Sequence, residues 1–196
     1  MVLKWYMKLN WNKEKLEEFL KDKQRTIAVE EYLLLIDFIN EIRPKVFIDI
    51  GTYLGASGFV LGTCCDSIQE IYSIENIDSK EYYQKDEATR EEHGKFLPKE
   101  AKFLTNGYEN NLSNLIKTGN EFVLWDADKN TLKVMNQLKR SYDLKIKYIA
   151  FHDSGEIQGT VRQSILRAVR FKWYKILKED IRNCPEKGIT ILELNQ

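Results

Sequence analysis

Asp49, Gly51 and Gly55 form a D-x-G-x-x-x-G run directly after the apolar stretch Val46–Ile50. Glycines at those places let a backbone turn sharply and approach a ligand with no Cβ in the way. The small and apolar residues from Ala56 to Cys65 then suit a packed helix whose N-terminus faces the same ligand, which is how an α/β fold makes a nucleotide-sized pocket. The paired glycines of a dinucleotide fingerprint are missing, so a pyrophosphate turn is excluded. Glu75 follows Asp49 by 26 residues, and an acid at the end of a second parallel strand is placed to accept hydrogen bonds from both hydroxyls of a ribose. Further on, Asp126 and Asp153 stand 27 residues apart, one strand-helix-strand unit. Neighbouring parallel strands would bring these carboxylates close enough to share a hard cation such as Mg²⁺. Lys129 is an amine able to take a proton where its surroundings lower its pKa, and His152 is the other candidate base.

Elements that can hold these groups follow from the apolar patterning. Asn12 to Asp22 carries Leu16, Phe19 and Leu20 at helical spacing, and Val29 to Ile42 aligns Tyr32, Leu33, Ile36, Ile39 and Asn40 along one side until Pro44 ends the helix. Strands are expected at Val46–Ile50, Glu70–Ile74, Ala101–Leu104, Glu121–Trp125, Ile146–Phe151, Trp173–Leu177 and Gly188–Leu194. Between them lie a helix plus loop at Asn76–His93 and helices at Leu112–Lys117, Leu132–Lys139 and Thr160–Arg170. This alternation predicts an α/β fold: a doubly wound, mostly parallel seven-stranded sheet with helices on both faces and one late antiparallel strand. The carboxyl ends of its strands border the ligand crevice.

Bulk composition narrows the function classes. The 196 residues are 43% hydrophobic, enough for one well-packed domain over 1–196 with the helices of about 12–42 over the ligand side. Thirty basic and thirty acidic side chains cancel, so no global field draws the chain to nucleic acid. Cys64, Cys65 and Cys184 lack metal-ligand spacing and read as core fillers in a reducing compartment. A charged N-terminus and the absence of any long apolar run point to a cytoplasmic protein away from membranes.

The two acids and glycines resemble motif I and the following acidic position of the class I S-adenosylmethionine-dependent methyltransferases. That resemblance implies S-adenosyl-L-methionine held by Asp49, Gly51, Thr52, Gly55, Ser57, Glu75 and Asp126, with Asn106, Gly107 and Tyr108 at the adenine. The run Asp126-Ala127-Asp128-Lys129-Asn130 is similar to the signature of cation-dependent O-methyltransferases of the catechol and caffeoyl-CoA type. By that likeness Asp126 and Asp153 bind Mg²⁺ (or Mn²⁺) and Lys129 is the base. The chain departs from the type in three places, the first two being Ser154 for the usual Asn and Ser141-Tyr142-Asp143-Leu144 for a Gly-Gly turn. The ending His152-Asp153-Ser154-Gly155 resembles bacterial macrolide-sugar O-methyltransferases instead.

The reading is therefore a methyltransferase for a small-molecule hydroxyl, with the homodimer left open. Two alternatives stand beside it: a metal-free enzyme with His152 as base, and a non-catalytic cofactor-binding or partner-binding module on the same fold. At residue level, Asp126 and Asp153 can equally cap turns, Lys129 can be a solvated lysine, and His152 a structural hydrogen-bond partner.

Overall fold

The computed structural model describes residues 9–21, 27–75, 94–105, 108–127, 130–155, 159–180 and 188–195, with backbone alone at 108–110. The expected helix and loop at Asn76–His93, and Cys184, lie outside the described residues.

In chain order the elements are α1 (Lys13–Leu20), α2 (Val29–Ile42), β1 (Val46–Ile50), α3 (Ala56–Thr63), β2 (Glu70–Ile74), β3 (Lys102–Leu104), α4 (Tyr108–Leu115), β4 (Glu121–Trp125), α5 (Thr131–Asp143), β5 (Tyr148–His152), α6 (Thr160–Arg170), β6 (Tyr174–Asp180) and β7 (Ile189–Leu194). The strands form one sheet in the order β3-β2-β1-β4-β5-β7-β6. β1 pairs in parallel with β2 and β4, β4 with β5, and β2 with β3, whereas β7 runs antiparallel to both β5 and β6. The strand order turns back at β1, between β2 and β4, and a crevice opens at the carboxyl ends of strands beside such a switch.

Alternation along the strands divides the core into two layers. Phe47, Phe122 and Leu124 pack with α2 and α3, while Ile48, Ile50, Val123 and Trp125 pack with α5 and α6. Because side chains of period two leave opposite faces of a strand, both faces are apolar only if helices cover both. No helix among the described residues is long and apolar enough to cross a membrane.

Boundaries differ from expectation where local closure wins over patterning. Ile146 was expected to start β5, but its N–H bonds the Ser141 carbonyl and closes α5. The strand begins at Tyr148 and carries His152 at its end. α5 runs on to Asp143, where a Lys139–Asp143 ion pair one turn apart adds support, and α4 starts at Tyr108 rather than Leu112. β6 extends to Asp180.

The inward side of α2 is rotated from the expected one. Glu31, Leu35 and Phe38 are buried with Tyr32, Ile36 and Ile39, and Leu33 and Asn40 sit at the margin. Phe38 explains the rotation, since its ring lies 5.8 Å from Phe122 and 5.4 Å from Tyr148 between centroids. Replacing Phe38 by Ala should therefore cost about 3–5 kcal/mol of stability in urea denaturation. A loss below about 1 kcal/mol, within the spread of surface substitutions and small repacking, would contradict this placement of α2.

Candidate functional site

The turn after β1 is held by backbone approaches that only glycine allows. Gly51 has φ of 89°, and a Cβ there would lie 2.1 Å from the Asp126 carbonyl oxygen. Its N–H bonds the Ile74 carbonyl at 3.0 Å, and the Asp126 N–H bonds the Ile50 carbonyl at 2.8 Å. Gly51 thus ties the exits of β2, β1 and β4 into one rim. Gly55 was expected to approach a ligand; instead a Cβ there would meet Leu97 Cγ at 2.8 Å, so its own chain fills that space. Tyr53 takes a left-handed φ of 47°, costly for a bulky residue. It is held there because its N–H donates to Glu75 Oε2 at 2.9 Å and its carbonyl accepts from the Gly94 N–H at 2.8 Å.

Asp49 was expected to touch the cofactor, and the structure turns its carboxylate beneath α3 instead. It is fully buried, and its Oδ2 accepts from Ser57 Oγ at 2.7 Å. Its Oδ1 has no hydrogen-bond partner among the described residues. A carboxyl group in that position holds the Ser57 hydroxyl in the first turn of α3 and lies at the positive end of the helix dipole. Ser57 spends its hydroxyl on the same bond, so this pair is a support of the turn. Burial lifts the Asp49 pKa to about 7, with Ser57 opposing and the nearby Asp126 and Glu75 adding to the rise. Thr52 is buried, and its hydroxyl lies 3.5 Å from the Asp49 carbonyl.

At the ends of β4 and β5 the structure brings together Asp126, His152 and Asp153. One ligand atom from each lies within 4.8 Å of the others. His152 Nδ1 is 2.9 Å from Asp126 Oδ1 and 3.7 Å from Asp153 Oδ1. Asp153 has a left-handed φ of 53°, a conformation Asp tolerates better than most residues. Ser154 turns the other way: its hydroxyl pairs with Thr190 Oγ1 at 2.8 Å and lies 3.3 Å from the Gly188 carbonyl, so it serves β7.

The far side of the His152 ring meets a residue that the sequence reading passed over. Glu31 Oε2 lies 3.3 Å from His152 Nε2, off the line of a hydrogen bond, and accepts from the Ala28 N–H at 2.9 Å. Burial works against the charge of His152, but Asp126 and then Glu31 outweigh it and raise the pKa to about 9. Tyr32 adjoins the same acids: burial, with Asp49, Asp126 and Glu31, pushes its hydroxyl well above the usual range. A signal for Glu31 did exist, in its place three residues after the Ala28 cap, but a glutamate in a first turn ordinarily faces water and answers the helix dipole.

Asn106, Gly107, Asp128 and Lys129 lie outside the described residues, and Tyr108 is described only by its backbone at the start of α4.

No family model matches the chain, and no curated protein does. Solved structures do match along its length. An SAH-bound methyltransferase from Podospora anserina superposes with a TM-score of 0.66 at 16% identity, covering 94% of this chain and 88% of its own. The chain has a methyltransferase fold. The O-methyltransferase from Bacillus cereus in complex with SAH gives a TM-score of 0.61 at 12% identity over 92% of this chain and 88% of its own. TomG of Streptomyces achromogenes, an O-methyltransferase of tomaymycin synthesis in complex with SAM, gives 0.61 at 12% identity over 94% and 88%.

The buried Asp49 makes stability depend on pH in a defined direction. Its folded pKa of about 7 exceeds the ordinary value of 3.8, so the folded chain binds the extra proton between these values. Stability from this group is complete below that window and is lost as pH rises through it. Asp49→Asn cannot ionise, so between pH 4.5 and 6.5 the variant should gain on the wild type by up to about 1.4 kcal/mol per pH unit. Urea midpoints at several pH values check this, and a difference that stays constant with pH would refute it.

Proposed function

We propose that this chain is an S-adenosylmethionine-dependent methyltransferase that methylates a hydroxyl of a small molecule. The observation that carries the reading is the convergence on one rim of Glu75, at the end of β2, and of Asp126, His152 and Asp153, at the ends of β4 and β5, with the Gly51 turn between them. β2 and β4 flank β1, so Glu75 and Asp126 stand about 10 Å apart by strand spacing, the scale of a nucleoside with a side arm. The SAH- and SAM-bound fold neighbours support the choice of cofactor.

The residues present fit such a ligand. Glu31, Asp126 and Asp153 surround one imidazole and Glu75 adds a fourth carboxylate to the same rim, a setting that favours a cationic sulfonium over its uncharged product. The cofactor would supply the methyl group. Glu75 provides the carboxylate acceptor for the ribose hydroxyls, and the turn from Gly51 to Gly55 shapes the floor of the site. Asp49 and Ser57 hold that turn from below. Asp126 and Asp153 fit a hard cation, Mg²⁺ or Mn²⁺, which would place positive charge beside the acceptor oxygen. Ser154 adds no ligand.

Lys129 is the residue we assign as base. Nδ1 of His152 is bonded to Asp126, and Nε2 is buried against Glu31 away from solvent, so neither nitrogen is open to an acceptor hydroxyl. The enzyme's share of the work is alignment of acceptor, methyl and leaving sulfur, together with removal of the hydroxyl proton.

Calorimetric titration tests the cofactor directly. The protein should bind both S-adenosylmethionine and SAH, and Glu75→Ala should weaken each by about 1.5–3 kcal/mol through loss of charge-assisted hydrogen bonds. Unchanged affinity in a folded variant would remove Glu75 from the site. With an acceptor found by a labelled-methyl screen of phenols, sugars and other small hydroxyl compounds, Lys129→Met should lower kcat and kcat/KM together by about 10²–10⁴-fold while leaving SAH affinity intact. Normal turnover would return Lys129 to the solvated surface.

A further inference from the structure

Glu31 is fully buried, with its Oε1 unpartnered among the described residues. A carboxylate in that state is costly unless a counter-charge stands close by, and the ring of His152 at 3.3 Å is the group that meets it. The opposite edge of that ring holds Asp126 Oδ1 at 2.9 Å. Glu31, His152 and Asp126 therefore form a continuous row from the first turn of α2 to the exit of β4. The row is rigid at its outer end, because Glu31 Oε2 also accepts the Ala28 N–H at 2.9 Å. Asp126 is the most exposed of the three, with its side chain 24% accessible, so it is the end of the row that meets solutes.

We propose that Glu31 is a positioning residue: through the ring of His152 it fixes the carboxylate of Asp126 in the orientation used at the reacting edge. What Asp126 does there rests on the functional reading above. The link itself belongs to the chain alone. Carboxylate–imidazole–carboxylate rows orient ligating groups in this manner, and loss of an outer member typically weakens a metal site by about 10–100-fold.

Two measurements test the link and its consequence separately. Urea unfolding of wild type, Glu31→Gln, Asp126→Asn and the double variant gives the coupling between the two acids, and the same set carrying His152→Gln shows whether the imidazole transmits it. The coupling should be about tenfold in the unfolding equilibrium constant and should fall below about twofold without His152. Absence of coupling with His152 present, or full coupling without it, overturns the proposal. If Glu31→Gln does not fold, Glu31→Asp replaces it in the set under the same expectations.

Calorimetric titration with Mn²⁺ then reads the consequence. Glu31→Gln keeps an oxygen for the Ala28 N–H, so a residue acting only as a helix cap would leave Mn²⁺ affinity at the wild-type value, and that result also overturns the proposal. The expected result is Mn²⁺ binding weakened by about 10–100-fold with SAH affinity within about twofold of wild type. If the wild type takes up no Mn²⁺ while the coupling through His152 is present, the cation part of the functional reading falls and the link through Glu31 stands.

Discussion

A missing side chain at position 51 governs the geometry of the whole rim. Because Gly51 has no Cβ, the Asp126 carbonyl can lie where that atom would otherwise be, only 2.1 Å from its ideal position. This contact and the two backbone bonds beside it join β2, β1 and β4 at their carboxyl ends. Asp126 leaves the sheet at a height set by that junction, and β5, paired with β4 through Trp125 and Phe151, delivers His152 and Asp153 to the same level. Any residue with a Cβ at 51 would force these exits apart, and a left-handed φ of 89° would be strained besides. The position of Asp126, His152 and Asp153 thus follows from packing of backbone on backbone.

Electrostatics is the second constraint. Asp49, Glu31, Glu75, Asp126 and Asp153 crowd one end of the sheet, and isolated carboxylates in such a place would be expensive. The structure distributes them. Asp49 answers the first turn of α3 and takes a raised pKa, Glu75 accepts the Tyr53 N–H, and His152 stands between Glu31 and Asp126. Asp49 and Glu75 have partners of their own in Ser57 and the Tyr53 N–H, while Glu31, Asp126 and Asp153 share the imidazole of His152, and this keeps the five compatible with a folded rim.

Strands β1, β2 and β4 were legible residue by residue, because buried parallel strands are short β-branched and aromatic runs with little competition from other structures. So were α2, ended by Pro44, and α6. The adjacency of Asp126 and Asp153 also followed from one strand-helix-strand unit. What escaped the sequence were particular side-chain contacts between elements. The neighbour of Gly55 is Leu97, some forty positions on; the partner of Ser154 is Thr190 in β7; and Glu31 is buried on the same side of α2 as Phe38, whose ring packs on Phe122. Asp49 read as a ligand contact because its place in the glycine motif is visible in the sequence, whereas the direction of its side chain depends on where α3 docks.

The proposed function requires S-adenosylmethionine to bind at this rim, with its reacting end toward Asp126. A crystal structure of the full chain grown with SAH tests it most directly. The ribose hydroxyls should lie within hydrogen-bonding distance of the Glu75 carboxylate, and the sulfur on the side of Asp126, His152 and Asp153. SAH bound elsewhere on the molecule, or crystals with this crevice empty at saturating SAH, would contradict it.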